Sequence, residues 1–147
     1  MIIMNSAPGR KMNKREFRAI VPGLVAALLL TLGYCAPTRD AQTITQLESA
    51  RDQVHSLYDT FTGSKIDEDR VDAVRSTLAA MRSYEESKGR TNVLMVKQIE
   101  AIEALFEKHL AERKAVSRWS GTHKNNKKEL IGVAFQTAIA TENEKNE

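Results

Sequence analysis

Cysteine is almost absent from this 147-residue chain, and Cys35 is the only one. A single thiol excludes an internal disulfide framework and a cysteine-based zinc site. Three prolines and seven glycines are too few for a long disordered or collagen-like chain. Eight aromatic side chains are few for a large core or for a surface on which bases stack. The sequence contains no G-x-S-x-G elbow, no phosphate-binding Walker loop and no G-x-G-x-x-G turn. It also lacks C-x-x-C-H for covalent haem and H-E-x-x-H for zinc hydrolysis. An enzyme is therefore not expected, nor a cofactor.

Acidic residues are missing from one region in particular. The chain has a net charge of +3 and a pI near 9.1, which would ordinarily suggest an anionic partner. Residues 1–34 hold Arg10, Lys11, Lys14, Arg15 and Arg18 against Glu16 alone, a balance of +4. The other 113 residues hold 17 basic and 18 acidic side chains, a balance of −1. The basic character thus belongs to the leader, and the body is a near-neutral, mixed-charge segment.

Residues 10–18 form a basic stretch, and residues 19–32 form an uncharged apolar run. Fourteen residues rise about 21 Å as a helix, short of a bilayer core of about 30 Å. This is the layout of a secretory signal. The run ends in Leu32-Gly33-Tyr34-Cys35, followed by Ala36-Pro37. That ending resembles the lipobox of bacterial lipoproteins. The resemblance covers about residues 12–36 and departs from the family at Tyr34, where a small residue is favoured. It implies a diacylglyceryl group joined to the Cys35 thiol by a thioether, loss of residues 1–34, and acylation of the new N-terminus. In that class, a residue other than Asp after the cysteine implies sorting to the outer membrane, and Ala36 fits. Two alternatives stay open. Residues 19–37 offer 19 uncharged positions, enough for a signal anchor. Ordinary signal peptidase would have to cut beside Pro37, which obstructs it. Under either anchored reading the basic flank stays cytoplasmic and the body lies outside. Met12-Asn-Lys-Arg reads as a more usual start than Met1, making residues 1–11 a segment outside the translated chain. Detection of unprocessed precursor carrying residues 1–11 would refute that start.

The body shows no strand-like alternation. Leu47, Ala50, Val54, Leu57 and Phe61 step by three and four, with Ile44 and Tyr58 widening the stripe. Gly63 reads as a stop, and Ser64 with Asp67 as the next start. Val71, Val74, Leu78 and Met81 form a second stripe, closed by Lys88 and Gly89. Thr91 or Asn92 can cap a third helix carrying Met95, Ile99, Ile102 and Phe106, with Leu94, Leu105 and Leu110 alongside. Its expected end is Gly121. A shorter fourth helix, capped by Asn126 and Glu129, carries Leu130, Ile131, Ala134, Phe135, Ala138 and Ile139. The expected fold is all-α, an antiparallel bundle of three long helices plus a shorter fourth. It follows the signal segment (1–34) and a short linker (35–39), spans residues 40–141 and ends in a frayed tail (142–147). Charged pairs Asp67/Arg70, Asp72/Arg75 and Glu85/Lys88 are expected on outer faces.

Two places invite a functional reading. Arg113, Lys114, Arg118, Lys124, Lys127 and Lys128 surround Trp119 and His123 on an expected loop, with no acid from Arg113 to Lys128. This is the candidate partner-binding stretch, with Trp119 as its anchor. The bland alternative is a solvated basic loop whose tryptophan folds onto the bundle. The second place is Asp52 and His55, a carboxylate and an imidazole at i and i+3, which would suit a small-ligand or metal-binding four-helix bundle. A di-iron bundle wants a second such pair, and His109 follows Phe106 instead, so His55 and His109 read as boundary or surface residues and no metal ligands are assigned. Nucleic acid is not expected of an exported chain with one aromatic in its basic stretch. Only four residues separate Cys35 from Asp40, about 14 Å at full extension. The bundle would sit close to its membrane, with the 88–92 link returning toward it and the basic loop pointing away. The sequence thus suggests an accessory or structural subunit of an envelope assembly, held by lipid on Cys35 and working by binding a protein partner.

Overall fold

The computed structural model describes residues 38–145. Residues 1–37, which include the expected signal segment and Cys35, and the last two residues lie outside that range, and so do the expectations attached to them. The described residues form an all-α bundle of four helices with no strand. These are α1 (Ala41–Thr60), α2 (Glu68–Ser87), α3 (Val93–Lys114) and α4 (Gly121–Asn143), with a 3₁₀ turn, Arg90–Asn92, leading into α3. Each helix packs against two neighbours: α1 and α3 both lie against α2 and α4. No described helix is long and apolar enough to cross a membrane.

The stripes become the core. Leu47, Ala50, Val54, Leu57 and Phe61 from α1 and its end meet Val71, Val74, Leu78 and Met81 from α2. Met95, Ile99, Ile102, Phe106 and Leu110 from α3 and Ile131, Phe135, Ala138 and Ile139 from α4 complete it. Fully burying a side chain of the Val, Leu, Ile or Phe class stabilises by about 1.5–3 kcal/mol, so this face dominates the energetics. Three helices start on side-chain caps: Asp40 accepts from the Gln42 N–H at 2.8 Å, Asp67 from Arg70 at 3.1 Å, and Ser120 from His123 at 3.1 Å. Gly89, with φ of 80°, turns the chain between α2 and α3 in a region that glycine alone enters freely.

Four expectations need correction. The fourth helix is not shorter: at 23 residues it is longer than α1, α2 or α3. Gly121 does not end the third helix but begins the fourth, and α3 stops at Lys114. The cause is distant. The Trp119 N–H donates to the Phe61 carbonyl at 2.9 Å, and its indole stands edge-on to Phe61 and Tyr58 at 5.0 and 5.4 Å. These contacts pull the chain off the α3 axis, and Ser120 restarts it. The tail is also ordered further than expected, since α4 runs to Asn143 and Glu142 is fully buried. Finally, Glu85 is not on an outer face: it is 1% exposed. Of the three pairs, Asp72/Arg75 is the surface ion pair expected, at 3.2 Å, whereas Asp67 caps the Arg70 backbone.

Candidate functional site

The basic stretch of the sequence lies at one end of the bundle, where the 115–120 link meets the 61–67 link. The structure distributes its cations unevenly. Lys114 pairs with Glu68 at 3.1 Å. Lys124 and Lys128 both reach Asp59, at 3.1 and 2.9 Å. Lys127 pairs with Glu112. Hydrogen bonds from Lys128, above the opposing effect of burial, hold the Asp59 carboxyl below its ordinary range, and Lys127 does the same for Glu112. Two guanidiniums stand apart. Arg113 is 2% exposed and donates to the carbonyls of Val116 at 2.8 Å and Gly63 at 2.7 Å, with no carboxylate partner among the described residues. Arg118 is exposed and has no partner among them. Three carboxylates therefore serve four of the six cations.

Trp119 is 4% exposed. It is no projecting anchor but part of an aromatic bed with Tyr58, Phe61, His109 and His123. His109 is fully buried, which corrects its expected place at the surface. Its Nδ1 lies 3.0 Å from the Tyr58 hydroxyl. Burial pushes the Tyr58 phenol up, so it stays protonated, and pushes His109 down to about 4, helped by the nearby Lys127 charge. With the phenol donating to Nδ1, the ring proton sits on Nε2. The opposite assignment would strand the phenolic proton as well. Three buried nitrogen donors are then unmet: His109 Nε2, Arg113 Nε and Trp119 Nε1 have no partner among the described residues. Beside them opens a cleft of about 520 Å³ lined by Glu112, Ala115, Val116, Arg118, Trp119, Ser120 and His123. Val116 is half-exposed at this cleft.

The second candidate pair is not brought together. Asp52 lies in an open polar groove between α1 and α2, ion-paired with its neighbour Arg51 at 2.9 Å. His55 faces α4, its Nε2 3.1 Å from the Lys128 carbonyl. Burial, then the Lys128 charge, lower its pKa. Among the described residues no group of three or more His, Cys, Asp or Glu could hold a metal ion.

The opposite end of the bundle holds polar residues that the sequence reading placed outside or passed over. Glu85 accepts from Thr43, from Lys88 at 2.7 Å and from Asn92 at 2.6 Å. Glu142 accepts from the Asp40 N–H at 2.8 Å and from Lys145 at 2.6 Å. Lys145 also donates to Asn92 at 3.2 Å. Asp40 takes Tyr84 at 2.8 Å and Lys88 at 2.6 Å. Burial opposes the Asp40 charge, but these hydrogen bonds and the Gln42 N–H outweigh it and hold the carboxyl well below the ordinary carboxylate range. A signal for the buried polar groups existed. Val71-Val74-Leu78-Met81 continues by four to Glu85, Met95-Ile99-Ile102-Phe106 continues to His109 and Arg113, and Ile131-Phe135-Ala138 continues to Glu142. The periodicity holds where the residue type changes.

Compared with known proteins, the chain matches no family model, no curated protein and no solved structure.

Proposed function

We propose that this chain is a lipid-anchored protein of the bacterial envelope that works by binding a protein partner, without catalysis. The anchor is lipid on Cys35, and the location is the outer membrane, facing the periplasm. The binding end is the one built from Arg113, Lys114, Arg118, Trp119, Lys124, Lys127 and Lys128. The observation that carries the reading is the placement of two features at opposite ends of the four-helix bundle. Asp40, five positions after Cys35, joins the Glu85 and Glu142 network. The cleft beside Trp119 lies at the other end. A lipid on Cys35 would tether the first end and leave the second reaching into the envelope space.

Arg118 is a better point of contact than Trp119, because it is exposed at the cleft and carries a charge that nothing in the bundle neutralises. Two measurements test the reading. Radiolabelled palmitate is expected on the wild-type chain and absent from Cys35→Ala; label persisting on the variant refutes the anchor. A photo-crosslinker at position 118 is expected to capture a protein in intact cells. Capture of lipid alone would contradict the orientation and the binding role together.

A further inference from the structure

We infer that the cleft at the 115–120 link takes a segment of a partner protein that presents an apolar side chain next to a carboxylate. The inference rests on the proposed reading of this end as the binding end, and it adds the chemistry of the occupant.

The apolar requirement comes from the lining. Ala115, Val116 and Trp119 supply the body of the cleft, and Val116 leaves about half of its surface to water. An aliphatic or aromatic side chain placed there removes that surface from water, which is the dominant favourable term in association. The carboxylate requirement comes from charge and valence. Arg118 lines the cleft without a partner among the described residues, and the buried Arg113 donates to the carbonyl of Val116, a lining residue, and to that of Gly63. The α4 N-terminus, the positive end of its dipole, begins at Ser120, which is also in the lining. Trp119, a wall of the cleft, carries a buried N–H with no acceptor among the described residues. Each unmet group is a donor or a cation, so the complementary ligand brings acceptors and negative charge. Glu112 does not cancel this, because Lys127 already neutralises it. An inorganic anion would satisfy the charge but leave the apolar lining wet. An uncharged hydrophobic segment would bury Arg118 without a partner, at a cost in affinity.

The test uses the full-length protein in detergent micelles. Trp119 is the only tryptophan of the chain, so its fluorescence reports on this cleft alone, and amide chemical shifts over residues 115–123 give a second readout. Three acetylated, amidated tetrapeptides serve as probes: Asp-Leu-Phe-Asp, Asn-Leu-Phe-Asn and Asp-Ala-Ala-Asp. The first is expected to bind. The second and third are expected to bind at least about tenfold more weakly, and Arg118→Gln to weaken the first by about tenfold at unchanged helicity. Equal binding of the first two peptides overturns the charge requirement. Equal binding of the first and third overturns the apolar requirement. No response to any peptide up to about 1 mM, or a response at this cleft to phosphatidylglycerol vesicles instead, overturns the inference outright. If peptides fail while position 118 still crosslinks to a protein, the occupant chemistry falls and the binding role stands. If the first peptide binds but no protein is captured, the chemistry of the cleft stands and the proposed partner in the envelope falls.

Discussion

The two ends of this bundle solve opposite problems with the same kind of position. At the Asp40 end, the core stripes run out into Thr43, Glu85, Asn92 and Glu142, and those groups find partners in one another, in Lys88 and in Lys145. Residues from α1, α2, the 3₁₀ turn and α4 are tied there, and the buried side-chain polar atom left without a partner among the described residues on that half is Gln98 Oε1, whose Nε2 donates to Thr141 at 2.8 Å. At the Trp119 end, the stripes run out into His109 and Arg113, and valence is left over. A buried donor without an acceptor costs about 1–3 kcal/mol, so three at one end mark a region where stability has been given up. Polar core positions therefore close one end through mutual hydrogen bonds and leave three nitrogen donors without a partner among the described residues at the other.

The largest expected break in this comparison is Trp119→Ala. The indole touches Tyr58, Phe61, His109 and His123, and truncating a buried tryptophan typically costs about 3–5 kcal/mol. Urea unfolding followed by circular dichroism should show a loss in that range. Amide exchange should accelerate first over the 61–67 and 115–120 links, while the amides near Glu85 and Glu142 stay protected. A loss of about 0.5 kcal/mol or less would mean that the aromatic bed does not hold this end, because that is the size of an ordinary surface substitution.

The next largest effect separates the ends by pH. His109 is held down to about 4 from 6.5 by burial, then by the Lys127 charge, against the opposing pull of Glu112. Unfolded, this imidazole takes a proton below pH 6.5; folded, it refuses until about pH 4. The unfolded state therefore binds more protons in that window. Stability is complete above about pH 6.5 and falls as pH drops toward 4, by about 3 kcal/mol if the whole shift is realised. His55, also lowered, adds to the same window. Asp40 behaves differently. Its lowered pKa contributes stability above the ordinary carboxylate value of 3.8 and loses it only below that. Acid should thus loosen the Trp119 end first and the Asp40 end later. His109→Asn, whose amide oxygen can still accept from Tyr58, should flatten the slope between pH 6.5 and 4. An unchanged slope would remove His109 from the explanation.

Much of this contrast was written in the periodicity, and part of it was not. The four stripes gave the helices and nearly all core residues, because burying one face of an amphipathic helix is a local pattern with a global consequence. Leu94 and Leu130, expected beside the core, are more than half exposed, since a neighbouring helix covers only part of an apolar arc. The end of α3 was misplaced because Trp119 and Phe61, 58 positions apart, decide it. The Thr43–Glu85 and Asp40–Glu142 bonds span 42 and 102 residues, beyond any local signal. The basic stretch was visible as a run of residues. Its division into four satisfied lysines and two arginines without carboxylates depended on Asp59, Glu68 and Glu112, which lie outside the run or across the bundle.

The smallest effect sharpens the functional side of the comparison. Asp59 accepts from Lys124 and Lys128 at the Trp119 end, and half of its side chain faces water. Exposed ion pairs of this kind contribute about 0–1 kcal/mol, so Asp59→Asn should leave the unfolding midpoint almost where it was. It should change the local field more than the stability, because removing one negative charge frees two ammonium groups at this end of the bundle. The acidic Leu-Phe tetrapeptide should then bind about two- to threefold tighter at low salt. The gain should fade as salt shortens the Debye length from about 10 Å at 0.1 M toward 3 Å at 1 M. Glu86→Gln is the matched control: it also removes an exposed carboxylate, paired with Arg82 at 3.8 Å, but it lies next to Glu85 at the closed end. If Glu86→Gln improves peptide binding as much as Asp59→Asn does, the attraction is a property of net charge and the two ends do not differ in the way their polar groups suggest.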